Sequence, residues 1–372
     1  MDKKNKQRLI KMLEKYETKT IHDGILVGFD GFIDNIINVV NKRYSTNNFS
    51  PIKSISDFAQ KIKNASEKST NIELVSNYKK IGGNAPIMAN SLSKLNSPVY
   101  LIAALGENKI HSIFSNLSNR CIECCTISKP GETLALEFKD GKIMMGLLDS
   151  INHINWNSII NSVKTKKLIK ILQNVKVISF LNWTMLIQMN DIIQQLTKTI
   201  RDYNIECKYL FFDLADFNKR SRDDIETFIH IIRNKLKSFR IILGLNLHEA
   251  EMLYKFINST EKIESDINRL CFHIQKELNL YTVFVHTPKK VSLSYREKVR
   301  SFSTFYNENP NILTGAGDHF NAGFFSSFLR GFKMEESILM GIANSSLYIL
   351  KGEAPKLSEI KSFINSKLLQ NF

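Results

Sequence analysis

The run Thr314-Gly315-Ala316-Gly317-Asp318-His319-Phe320 places small residues directly before a carboxylate, where a helix is expected to open and run to about residue 329. Glycine lets the chain turn tightly and lets a ligand approach the backbone closely. Free N–H groups at the start of a helix attract an anion, helped by the helix dipole. A carboxylate there works against holding phosphate. It suits removal of a proton from a hydroxyl that attacks phosphorus. The competing reading is a simple helix cap, worth about 0.3–1 kcal/mol. The spacing therefore predicts Asp318 as a catalytic base, with Gly315, Ala316 and Gly317 as an anion hole.

Three other segments carry compatible chemistry. Gly82 and Gly83 precede Asn84 and an amphipathic stretch, so the backbone there can approach a ligand while Asn84 offers two donors and an acceptor. Asp30 and Asp34 follow the first apolar strand, where a carboxylate can grip two hydroxyls. The alternative for each is a solvated loop acid. Asn246 and Glu249, three apart where a strand meets a helix, share one face. They can hold a hydrated magnesium ion and orient phosphates, and they equally match a capping box. His248 between them reads as structural.

The elements that must position these residues alternate. Near-continuous apolar runs at residues 25–28, 98–103, 176–181, 209–213, 241–246 and 281–285 read as strands covered on both faces. Amphipathic stretches at 85–95, 191–203 and 225–237 read as helices. This is the pattern of βαβ units and a parallel sheet. Two stretches depart from it. Residues 35–80 are polar, with a helix expected near 56–68 and a strand near 71–78. Residues 126–148 read as a hairpin turning at Asp140-Gly141. Strand-rich insertions of this kind would form a lid over the carboxyl ends of the sheet. The expected organisation is a polar N-terminal helix over residues 1–21, then one domain over 22–365 with lid insertions.

The whole composition excludes several classes. With 43% hydrophobic and 23% charged residues, wholesale disorder and coiled coil do not fit. No apolar run reaches the roughly 20 residues of a membrane span, so no membrane partner is expected. The net charge of +15 is spread along the chain without a dense basic block or a nucleic-acid-binding pattern, so no nucleic acid is expected either. The five cysteines, an odd number in a chain without a secretory leader, suggest a reducing cytoplasm and idle thiols, including the pair Cys121 and Cys124.

These pieces, in this order, resemble the PfkB (ribokinase-like) family of carbohydrate and nucleoside kinases. The resemblance runs from about residue 24 to 363. The family's closing signature matches Thr314 to Phe320, its Gly-Gly motif matches Gly82 and Gly83, and its N-x-x-E motif matches Asn246 and Glu249. It implies an α/β fold: a three-layer, doubly wound, mostly parallel sheet with a small β-rich lid. It also implies phosphate transfer from ATP with Mg2+ to a sugar or sugar-like alcohol. The early substrate-gripping acid maps onto Asp34 or Asp30. Thr287, Thr314 and Asn344 are implied to border the nucleotide. Lid sheets in the family can pair between subunits, which implies a possible homodimer. The chain departs from the pattern at several points. Ile312 and Leu313 stand where the signature has Asp and Thr, so a monovalent-cation site is not implied here. Ile87 replaces the usual Asn, and the loop at Thr287-Pro288-Lys289-Lys290 lacks both family glycines. The alternatives are a nucleoside kinase on the same scaffold and a non-catalytic ligand-binding member.

Overall fold

The computed structural model describes residues 1–259 and 264–369. Its main sheet has nine strands. They are β1 (Gly24–Phe29), β5 (Val99–Ala103), β6 (Glu123–Thr126), β9 (Val175–Leu181), β10 (Tyr209–Asp213), β11 (Arg240–Asn246), β12 (Thr282–His286), β13 (Lys290–Tyr295) and β14 (Lys298–Ser303), in the spatial order β14-β13-β12-β11-β10-β9-β1-β5-β6. From β6 to β12 every pairing is parallel, and only the two pairings of β13, with β12 and with β14, are antiparallel. Alternate side chains feed opposite layers. On β10, Leu210 and Phe212 enter one core while Tyr209 and Phe211 enter the other. Burial on both faces is why these strands are almost wholly apolar.

A second sheet of five strands rises from the carboxyl edge of β1. Its axis is the long strand β2 (Phe32–Ser45), which pairs with β3 (Asn48–Pro51), β4 (Leu74–Gly82) and β7 (Gly131–Phe138). The strand β8 (Gly141–Leu147) completes the hairpin with β7. Ile37, Val39, Ile52, Phe58 and Leu136 form its own small core, with Phe58 supplied by the helix Ile55–Lys63.

Several expectations are corrected here. The polar stretch from 35 opens inside β2, whose inward face is apolar but whose outer half is exposed. The expected helix at 56–68 ends at Lys63, and the expected strand at 71–78 runs from Leu74 to Gly82. Residue 126 belongs to the edge strand β6 of the main sheet, not to the lid. The hairpin of β13 and β14 had no turn signal, because Arg296 and Glu297 take its positive-φ positions without a glycine. The N-terminal helix, Lys3–Glu14, does not stand apart. Leu9, Met12, Leu13 and Tyr16 are buried in the main core, and the Arg330 guanidinium lies 4.1 Å from the Tyr16 ring centre. All five cysteines are free thiols. Among the described residues no helix is long and apolar enough to cross a membrane.

Candidate active site

The helix Ala316–Leu329 begins at Gly315, whose φ of +87° is a left-handed conformation that favours glycine. The turn points the first helical amides at the carboxyl edge of the main sheet. The expected anion hole needs one correction. The Ala316 N–H already donates to Leu313 O at 3.1 Å, which leaves the amides nearer Gly317 to meet a ligand. Asp318 lies in that first turn, buried, with Oδ1 lacking a hydrogen-bond partner. Its pKa is raised well above the ordinary carboxylate value, first by burial, then by the negative charges of Asp213 and Asp30. The nearby Asn84 side chain, a donor that favours the charged form, opposes this.

The two early aspartates are separated by their partners. Asp30 is wholly buried and accepts the backbone N–H of Asn84 at 2.9 Å, that of Ala85 at 2.8 Å, and Asn182 Nδ2 at 2.8 Å. It thus anchors the start of the helix Asn84–Lys94, and burial pushes its pKa up to about 6. Asp34, on β2, faces a cavity of about 260 Å3 that Lys80, Asn90, Thr314, His319 and Tyr348 also line. Thr133, opposite it on β7, and Lys80 and Lys142 sit close enough to favour its charge, although burial raises its pKa. The glycine pair is explained by the same two acids. A Cβ on Gly82 would overlap the Asp34 carboxylate, and Gly83, at φ +86°, would bring a Cβ to 3.2 Å from Asp30 Oδ2.

At the ends of β10 and β11 stand two more acids. Asn246 and Glu249 form the capping box, each backbone N–H donating to the other's side chain at 2.9 Å. Glu249 is buried, and burial, with the neighbouring charge of Asp213, pushes its pKa up to about 8. Asp213 was missed in the sequence. It closes β10 at the carboxyl edge, and Asn321 Nδ2 holds it at 2.8 Å. The available signal was an acid ending an apolar strand.

Thr287 closes the tight turn into β13, its hydroxyl accepting Lys290 N–H and donating to Lys290 O, each at 2.9 Å. This does the work of the missing glycines. Thr287 lines a second cavity of about 520 Å3 with Asn246, His286, Leu313 and Gly317. Two expected neighbours of that cavity lie elsewhere. Thr314 borders the cavity of Asp34, its carbonyl taken by the Tyr348 hydroxyl at 2.7 Å. Asn344 is fully buried between helices, donating to Ser91 Oγ at 2.9 Å and His319 O at 2.6 Å.

The prokaryotic ketohexokinase family model matches residues 1–367. The chain belongs to this family. It is similar to the ketohexokinase of Haloferax volcanii, with 22% identity over 351 residues that cover 92% of this chain and 91% of that one. The fold is that of the ribokinase-like kinases. Ribokinase from Thermotoga maritima superposes with a TM-score of 0.60 at 16% identity, over 93% of this chain and 100% of that one. Adenosine kinase from Sinorhizobium meliloti gives 0.63 at 14% identity, over 93% and 99%. As a member of the prokaryotic ketohexokinase family, the protein is an ATP-dependent carbohydrate kinase.

Proposed function

We propose that the protein transfers the γ-phosphoryl group of ATP to a hydroxyl of a ketohexose, with Asp318 as the base. One observation carries this reading. The start of the helix that carries Asp318 borders two cavities, a larger one around Thr287 through Gly317 and a small one around Asp34 through His319, and Asp318 itself keeps an unpartnered carboxylate oxygen. The small cavity suits a sugar, and the larger, largely apolar one suits a nucleotide. The ketohexose follows from the family and from the name of the Haloferax relative.

In this reading Asp34 accepts hydrogen bonds from two sugar hydroxyls, and the lid strands that carry it enclose the sugar. Asp318 takes the proton of the attacking hydroxyl as its oxygen bonds to the γ-phosphorus and the bond to the ADP oxygen breaks. Its raised pKa makes it a stronger base than a surface carboxylate. The amides at Gly317 receive the charge on the transferring group. Most of the acceleration is positioning and electrostatics.

Among the described residues no group of three or more His, Cys, Asp or Glu is placed to cage a metal. The donor set nevertheless fits a hydrated Mg2+. Asp213 and Glu249 are neighbouring carboxyl groups that burial keeps from ionising readily, and a dication that keeps most of its waters would favour the charged form of both. These two residues would hold it, and it would neutralise phosphate charge.

The test is ADP release over a panel of ketohexoses, aldohexoses, pentoses and nucleosides, with wild type beside Asp318→Ala, with and without EDTA. Ketohexose turnover that is lost in the variant and in EDTA is expected. Preferred turnover of a nucleoside, or full activity in Asp318→Ala, would refute the reading.

A further inference from the structure

The geometry points to His286 as a second side chain that holds the transferring phosphoryl group, its imidazole donating Nε2–H beside the Gly317 amide. The inference rests on the phosphotransfer reading above and adds a residue to it. His286 ends β12 at the carboxyl edge of the main sheet, level with Asn246 on β11. Its ring leans on Phe320, with centroids 5.6 Å apart and planes at 34°. Phe320 belongs to the same helix as Asp318, so one element fixes both the base and the plane of the imidazole. The Nε2 edge faces the anion site, for a Cβ built on Gly317 would stand 3.7 Å from Nε2.

The cavity into which the ring opens makes such a donor necessary. Among the described residues that line it there is no lysine or arginine. A polyphosphate there is met by helix amides, hydroxyls, imidazoles and the side-chain amides of Asn246 and Asn307, with no side-chain cation. Of its two histidines, His248 sits on the exposed wall, 3.4 Å from the Asn218 amide. His286 is the one against Gly317. Burial lowers its pKa to about 4, so the ring is neutral at neutral pH and acts as a fixed dipole rather than a cation. A preorganised donor aimed where charge gathers is effective because it need not reorient during the reaction. Phe320 holds the ring in that aim.

The experiment compares His286→Leu, which keeps apolar packing on Phe320, with His286→Gln, which restores a donor. Saturating kcat, KM for the sugar, ADP affinity by titration calorimetry and melting temperature are measured for both beside wild type. For His286→Leu, kcat should fall about 10- to 100-fold, with ADP affinity and sugar KM changed far less. His286→Gln should recover most of the loss. If His286→Leu does not fold, His286→Asn, too short to reach, takes its place in the same contrast. The inference is overturned if kcat of the donor-free variant matches wild type, if Gln is as slow as Leu, or if kcat falls only in step with melting temperature. A wild type that phosphorylates no sugar would instead overturn the underlying kinase reading.

Discussion

Asp30 accepts the backbone N–H of Asn84 at 2.9 Å, and the Asn84 side chain lies near Asp318, where it favours the charged form of that acid. The end of β1 is thereby tied to the start of the helix Asn84–Lys94, which borders Asp318 more than two hundred residues later in the chain. Asp30 thus acts through Asn84, whereas Asp34, four residues on, faces the smaller cavity directly.

Replacing the two acids should therefore separate stability from affinity. Asp30→Ala strips an acceptor from three buried donors and should lower stability by about 2–4 kcal/mol, seen as a lower urea midpoint. Asp34→Ala should leave the midpoint near wild type and raise the sugar KM by about 100-fold, the loss of two charge-assisted hydrogen bonds. The same phenotype from both variants would contradict the division drawn here.

Asp318→Asn should do opposite things to activity and stability. Loss of the base should lower kcat by about 100- to 10,000-fold. Removing a buried acid that lies near Asp213 and Asp30 should raise the melting temperature rather than lower it. Steady-state rates and a thermal melt on one preparation check both.

Stability of the metal-free protein should depend on Glu249. Its pKa is about 8 when folded and lies in the ordinary carboxylate range when unfolded. The folded state therefore holds an extra proton, and stability falls as pH rises from that range through about 8. Melting curves across this window should show the decline, and Glu249→Gln should flatten it. An unchanged slope in the variant would assign the decline to other groups.

Asn344→Ala should behave as a packing variant. It leaves Ser91 and the His319 carbonyl without their buried donor and should destabilise by about 1–3 kcal/mol. KM for ATP should stay close to wild type. A selective rise in that KM would restore Asn344 to the nucleotide site.

The turn and helix start at Gly315–Asp318 were legible because the small residues, the acid and the helix are consecutive in the chain. The two-faced strands were legible because burial on both sides makes them apolar without interruption. The lid was harder. β2 pairs with β7 about a hundred residues later, and its exposed half looks like a polar loop until that partner is known. Asp30 and Asp34 look equivalent in sequence, and only the direction of the Asn84 and Ala85 amides distinguishes them. Asp213 and His286 carry no local signature. Each becomes part of the site because its strand ends at the same edge of the sheet.

The charged and hydroxyl groups nearest Asp34 come from the lid, Lys80 from β4, Thr133 from β7 and Lys142 from β8, while Asn90, Thr314, His319 and Tyr348 on the other wall of its cavity come from the main domain. The groups around phosphorus come from the main sheet and its helices. In the proposed reading, recognition is shared between the lid and the main domain, whereas transfer belongs to the main domain alone. Substitutions confined to the lid strands can change which sugar is accepted while the transfer apparatus stays intact, so this scaffold can acquire a new acceptor without rebuilding its chemistry.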